Sequence, residues 1–368
     1  MNHASVRQQV GGLPGEWHDW RWQMRHRLRC PDELMTTWPG FEPSEDLRRA
    51  AERFPMAITP YYASLVQTPA YDDPIFRMAV PSAEEGAPSD VLACDPLEED
   101  AHMPVPGLIH RYRTRALILL SSTCPVYCRY CNRKRHTGVR ERLMGETEFD
   151  RAVAYLRAHA EVNDVILSGG DPLMQSTDSL RRILEALRTV PSIGVIRIGT
   201  RVPVTLPMRV DPALVEMLRC FQPIWINTHF NHPAEMTADS YRACARIADA
   251  GIVMGNQSVL LKGVNDDGDT LCALYDGLIR WRVRPYYLFQ CDLVEGVDHF
   301  RTPLETGIAL SRRMRRDLSG IAVPAFVVDT PGLVGKVPLQ PCYVREVTQG
   351  KTFLETPEGA TVAYPEPV

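Results

Sequence analysis

From about residue 115 the chain alternates short apolar runs with stretches of helical spacing, and this rhythm constrains the fold more than any other feature. Strand-like runs occupy residues 116–121, 162–167, 195–198, 224–228, 252–260 and 285–289. Helical patterns follow them in turn at 149–159, from a cap at Thr177 or Asp178, and at 211–218, 238–250, 269–281 and 304–318. In the second helix Leu180, Ile183, Leu184 and Leu187 share one face. Apolar strands alternating with helices predict a parallel sheet covered on both sides. An open doubly wound sheet and a partial barrel both fit that pattern. The sheet region is expected over residues 101–322. Before it, residues 1–100 are rich in Trp, Arg and Pro and carry only short helical patterns. After it, residues 323–368 hold a strand-like run at 323–328 and short strands turning at Gln349-Gly350 and Glu358-Gly359.

Charge and composition exclude several classes of function. The formal charge of -4 offers no general attraction to phosphate backbones, so nucleic acid is not an expected partner. The basic runs Arg312-Arg313-Met314-Arg315-Arg316 and 133–135 are the only support for an iron–sulfur protein that binds nucleic acid. No apolar run reaches membrane-spanning length, and the start lacks the apolar core of a signal peptide. A cytoplasmic location without membrane contact is expected. Ten cysteines in 368 residues are too sparse for a disulfide scaffold, which leaves buried thiols, metal ligands or reactive groups.

Three of these cysteines form a motif. Cys124, Cys128 and Cys131 read C-x3-C-x2-C directly after the first strand of the alternating region. Three thiolates so spaced can hold three irons of a [4Fe–4S] cluster and leave the fourth open. A zinc site completed by His136 is the alternative. The spacing resembles that of radical S-adenosylmethionine enzymes, which implies that this cosubstrate binds the open iron. The next strand ends in Ser168-Gly169-Gly170-Asp171-Pro172, where glycines can let backbone approach a ligand. Arg201, Asn227, His229 and Gln257 lie at or near later strand ends, where chemistry gathers in such barrels. Lys336 stands in a Gly- and Pro-flanked loop after Asp329, a setting that suits a Schiff-base lysine. Arg111, Tyr112, Arg113 and Arg115 cluster charge and a ring in a way that suits a phosphate.

Longer stretches carry a closer resemblance: WHDWRWQ at Trp17, DPLEED at Asp95, VPGLIHRY at Val105, CPVYCRYCNRKR at Cys124, and then LSGGDPL, RIGTRVPV, NTHFNHP, GNQSVLLKGVND, RPYYLFQCDL, HFRTP and VPAFVVDTPG. Over residues 15–367 the chain resembles the lysine 2,3-aminomutase family. The resemblance implies a partial (β/α)6 barrel of the radical S-adenosylmethionine type, with a helical N-terminal region and a small β-rich C-terminal extension. It implies a [4Fe–4S] cluster on Cys124, Cys128 and Cys131, with S-adenosylmethionine held by Gly169, Gly170, Asp171, Arg201, His229 and Gln257. Lys336 would carry pyridoxal 5′-phosphate, whose phosphate Arg111, Tyr112 and Arg115 would bind. Arg133 would take the substrate carboxylate, and Asp292 and Asp329 the distal ammonium of lysine. The implied reaction is a radical 1,2-amino shift between L-lysine and L-β-lysine. Arginine, or another cationic amino acid, is the alternative substrate.

The family pattern is not kept everywhere. Gly332-Leu333-Val334-Gly335 replaces a run of glycines, and Phe289 stands where tyrosine is common. No cysteine occurs near Asn265-Asp266-Asp267, and no cysteine-rich tail follows Pro365, so no structural zinc is expected. The resemblance also implies a flavodoxin- or ferredoxin-type electron donor, and it leaves a homo-oligomer open.

Overall fold

The computed structural model describes residues 3–138, 140–331 and 335–367. The departure expected at 332–334 lies outside the described residues. Nine strands form one sheet in sequential order: β1 (Leu108–Tyr112), β2 (Arg115–Ser121), β3 (Asp164–Gly169), β4 (Val195–Gly199), β5 (Ile224–Thr228), β6 (Val253–Leu260), β7 (Arg284–Gln290), β8 (Ala325–Asp329) and β9 (Lys336–Pro338). The pairs from β2 to β8 are parallel, whereas β1 and β9 pair antiparallel at the two edges. Helices Glu146–Ala158, Thr177–Arg188, Pro212–Arg219, Ala238–Asp249, Gly268–Arg280 and Leu304–Asp317 connect the parallel strands.

A doubly wound sheet needs a reversal of strand order, and none occurs. Sequential order with helices after every strand curls the sheet instead. Its two edges approach without joining through backbone hydrogen bonds. Arg111 of β1 reaches Asp329 at the end of β8 at 3.2 Å, and donates to the Thr330 carbonyl at 3.3 Å. The result is a partial barrel whose open seam is crossed by side chains. The run expected at 323–328 enters this sheet as β8, its seventh parallel strand, paired with β7. A second sheet of three antiparallel strands follows, formed by β10 (Val344–Thr348), β11 (Lys351–Glu355) and β12 (Thr361–Pro365). Gly350 and Gly359 take positive φ at its turns.

Core burial follows the alternation. Ile118, Leu120, Val165, Leu167, Ile196, Ile198, Ile224 and Ile226 are fully buried under the helices. Leu180, Leu184 and Leu187 come from the helix face that meets them, and Ser176, one residue earlier than expected, caps that helix through Ser179.

The N-terminal region is helical, and it clamps the loop that carries the cysteine triplet. Arg129, between Cys128 and Tyr130, is buried and donates to Glu85 at 2.8 and 2.7 Å and to the carbonyls of Pro55 and Phe54 at 2.9 Å each. Arg27 donates to the Cys124 carbonyl at 2.6 Å, and Tyr127 bonds the Ala57 carbonyl through its backbone N–H at 2.9 Å. A buried charge with both forks filled holds a loop far more firmly than a surface pair would.

Candidate active site

The sixteen residues to which the resemblance gives a site role line one cavity of about 330 Å3, together with Asn227 but without Arg113. It runs from the carboxyl ends of the strands into the seam of the barrel. The three thiols sit together near its mouth on the loop after β2. None forms a disulfide. Burial and the neighbouring carboxylate and thiols push Cys124 well up, and burial with Cys128 pushes Cys131 up to about 11. Three thiolates there need a strongly positive partner, which a cluster of irons provides. Among the described residues no three His, Cys, Asp or Glu side chains gather tightly enough for a single metal ion. His136 is turned instead toward Asp100, 3.6 Å away. The donor set therefore fits a multi-iron cluster better than the zinc alternative.

The glycine motif also carries a steric requirement. The backbone N–H of Gly170 donates to the Ser121 carbonyl, and that of Asp171 to Thr123 at 2.8 Å, so neither amide is exposed for a ligand. A Cβ on Gly169, whose φ is +117°, would collide with the Ser121 carbonyl. One on Gly170 would fall 2.6 Å from the Thr123 oxygen. These glycines are required because β3 packs its end directly under the cysteine loop. Asp171 is buried and already accepts from Leu173 N, Thr200 Oγ1 and Arg201 N at 2.8–3.0 Å. It braces the start of the next loop.

That brace aims Arg201. Its Nη1 lies 2.9 Å from Cys128 Sγ, while Nη2 meets the buried Glu235 and Tyr62 Oη. His229 stacks near Tyr130 with its Nε2 3.3 Å from the phenol oxygen. Burial first, and the Arg201 charge second, lower its pKa to about 3, so it is neutral at physiological pH. Gln257 completes this wall from β6.

The seam holds the second group. Tyr112 Oη and Arg115 Nε are buried, face the cavity lining and have no hydrogen-bond partner among the described residues. Arg115 stacks on the Tyr112 ring at 4.3 Å. Orphaned buried donors cost stability unless an acceptor arrives, so the pair fits an anionic group such as a phosphate. Lys336 opens β9 and forms an ion pair with Asp329. Gly335 precedes it with φ +92°, and a Cβ there would sit 3.3 Å from the Tyr112 ring. Phe289 contributes a ring 5.4 Å from the lysine nitrogen and no hydroxyl.

Arg133 and Asp292 complete the lining. Glu99 accepts from Arg133 Nε at 2.9 Å and from Nη2 at 2.7 Å. Nη1 lies 3.3 Å from Ser168 Oγ. One edge of the guanidinium is thus fixed by the protein, and the Nη1 edge meets only the Ser168 hydroxyl. Asp292 accepts from Asn132 Nδ2 at 2.8 Å on one oxygen, while its other buried oxygen has no partner. Burial, then the Asp329 charge, raise its pKa to about 7.

Two contributors escaped the sequence reading. Glu99 lies within DPLEED, in a segment where Glu98 takes a φ of +52°, uncommon for a residue with a side chain. Asn132 sits between Cys131 and Arg133, where a polar residue reads as ordinary loop. The nucleic-acid alternative loses its support. Arg312 pairs with Glu355, Arg313 with Asp269 and Asp317, and Arg316 with Asp317, while Arg133 and Arg135 are taken by Glu99, Asp95 and Asp100.

Comparison with known proteins agrees with this geometry. Residues 118–273 match the radical SAM superfamily, and residues 312–368 match a family described as lysine-2,3-aminomutase. The L-lysine 2,3-aminomutase of Clostridium subterminale is 45% identical over 354 residues, covering 96% of this chain and 85% of the relative. That of Acetoanaerobium sticklandii is 46% identical over 355 residues, with the same coverage of each. The glutamate 2,3-aminomutase of Clostridioides difficile is 34% identical over 355 residues, covering 96% and 84%. A curled parallel sheet, a thiol triplet at its mouth and relatives aligned over nearly the whole chain lead to one conclusion: the protein belongs to the lysine 2,3-aminomutase family of radical SAM enzymes.

Proposed function

We propose that this protein moves the amino group of L-lysine between C2 and C3, interconverting L-lysine and L-β-lysine. The observation that carries the substrate is Asp292. It is buried in the cavity with one unpartnered oxygen, beside Asp329 and in the same lining as Arg133. An amino acid with a second, distal cation satisfies these groups together.

The family's chemistry rests on a [4Fe–4S] cluster, S-adenosylmethionine and pyridoxal 5′-phosphate. When bound, they supply a carbon-centred radical able to take hydrogen from an unactivated carbon, and a conjugated ring that can share an unpaired electron. The chain's own part is binding, orientation and exclusion of water. Cys124, Cys128 and Cys131 would hold three irons. Arg201, His229, Gln257 and the Gly169–Asp171 turn would frame the cosubstrate. Tyr112 and Arg115 would donate to the phosphate, with Arg111 at the edge of the seam. Lys336 must lose a proton before its nitrogen can bond an aldehyde carbon, and Asp329 is the acceptor already beside it. Once that proton has passed from Asp329 to solvent, Asp329 is again a carboxylate that keeps Arg111, and Asp292 keeps only Asn132. The distal ammonium of lysine then restores the charge balance. Arg133 would hold the carboxylate through its Nη1 edge. Both ends of the substrate are thereby fixed, which leaves C2 and C3 in one orientation.

The reading extends to the surroundings. The protein would act in the cytoplasm, with a flavodoxin- or ferredoxin-type reductant, and could do so as a homo-oligomer. No helix among the described residues is long and apolar enough to cross a membrane. Replacing Asp292 by Asn tests the substrate assignment. Lysine turnover should fall heavily while cluster and pyridoxal content stay at wild-type levels, and unchanged turnover would refute it.

A further inference from the structure

The loop after Cys131 reaches two parts of the cavity with consecutive residues. Arg133 turns to Glu99 and Ser168, and Asn132 turns to Asp292. The Asn132 side chain donates from Nδ2 to Asp292 Oδ2 at 2.8 Å. Asp292 Oδ1 is buried with no partner. Both residues line the cavity. A carboxylate held on one oxygen by a fixed amide cannot rotate freely, so its second oxygen keeps one direction. An amide N–H at this place also favours the charged carboxylate close to a second acid, where the neutral form would otherwise gain. Nothing else among the described residues bonds Asp292, since its further neighbours Asp329, Lys336 and Arg133 act on it only through charge.

We propose that Asn132 is a specificity-determining positioning residue, which turns Asp292 so that its free oxygen meets the distal cation of the substrate. The inference rests on the proposed aminomutase reading with a cationic amino acid. It adds that selection for the cation depends on the loop that also carries a cluster ligand. The substrate's charge is thus read by a residue fixed relative to Cys131 and Arg133.

The test uses the full-length protein reconstituted with iron, sulfide, S-adenosylmethionine and pyridoxal phosphate. Wild type is first assayed on lysine, arginine and ornithine, and on glutamate and norleucine. Asn132→Leu removes the donor at similar size, and Asn132→Ser shortens it beyond reach with less risk to the fold. Both should raise KM for the preferred cationic substrate about tenfold, which corresponds to about 1.4 kcal/mol. The inhibition constant of norleucine, a lysine-like chain without the ammonium, should stay within about twofold in both variants, well below that tenfold step. A merely structural role would weaken norleucine as much as lysine, and that outcome overturns the proposal. So does an unchanged KM in the variant that keeps wild-type iron content. If wild type turns over only glutamate or norleucine, the aminomutase reading for a cationic substrate falls and this inference falls with it. If wild type turns over lysine and the variants do not discriminate, only this inference falls.

Discussion

Glu99→Gln isolates how Arg133 is made ready for a carboxylate. In the native site Glu99 accepts from Arg133 Nε at 2.9 Å and from Nη2 at 2.7 Å, with side-chain exposures of 7% and 18%. Arg135 adds a weaker contact to the same carboxylate at 3.5 Å. Burial alone would raise the Glu99 pKa, but the charge and hydrogen bonds of Arg133, then Arg135, outweigh it and hold the group below the usual carboxylate range. Glutamine keeps one acceptor and turns an NH2 toward a guanidinium that can only donate. One charge-assisted bond is lost, about 1.5–3 kcal/mol, and a donor is left facing a donor. Arg133 is then held on that edge by one bond in place of two, and part of the binding free energy for substrate goes into ordering it. At about 1.4 kcal/mol per decade, KM for lysine should rise roughly ten- to a hundredfold, with a smaller change in kcat. Steady-state kinetics of the reconstituted variant measure this, with iron and pyridoxal content as controls. A KM within about twofold of wild type, at full cofactor content, would refute the positioning argument, because that is under 0.5 kcal/mol.

Three further outcomes follow from the same geometry. Replacing Cys124, Cys128 or Cys131 by Ala should abolish the brown chromophore and all turnover; full iron content in all three variants would remove the cluster assignment. Lys336→Ala should lose the pyridoxal absorbance band and fail to trap the cofactor with borohydride, and a reduced peptide that maps to Lys262 or Lys351 would show the lysine to be wrong. The pH dependence has a definite sign. Asp292 has a folded pKa raised to about 7. The native state therefore binds the extra proton between roughly pH 4 and 7, and stability without substrate falls as pH rises through that window. Lysine binding needs the ionised form, so KM for lysine should climb as pH drops below about 7, toward tenfold per unit. A KM that is flat from pH 8 to pH 6 would place the distal ammonium elsewhere.

Much of the fold was legible because period and burial coincide. Strands such as Ile224–Thr228 bury alternate residues, Ile224 and Ile226 followed by Thr228 at the strand end, so one sequence pattern has one structural meaning. Periodicity alone left open sheet and partial barrel undecided, and the family resemblance chose the barrel. Strand order is a long-range property, and it shows in the sequential pairing of the strands and in the Arg111–Asp329 bridge across the seam. The thiol triplet was readable because its chemistry needs short sequence spacing. The steric part of the glycine motif was not readable, since the neighbour it must avoid, Ser121, lies on another strand. Glu99 and Asn132 were missed for the same reason. Each acts on a partner 34 and 160 positions away, and nothing local in DPLEED or CNRKR announces that partner.

The central claim is an amino shift on lysine. The most direct test incubates the reconstituted protein anaerobically, with dithionite and S-adenosylmethionine, on L-lysine carrying 15N at the C2 amino group. The product is read by NMR. The account predicts L-β-lysine with the label on the C3 nitrogen and none on the distal nitrogen. Equal concentrations of unlabelled arginine should leave lysine as the preferred substrate. Product formed only from arginine would move the substrate while leaving the reaction type. Protein with full cluster and pyridoxal content that yields no β-lysine and no other β-amino acid would contradict the account.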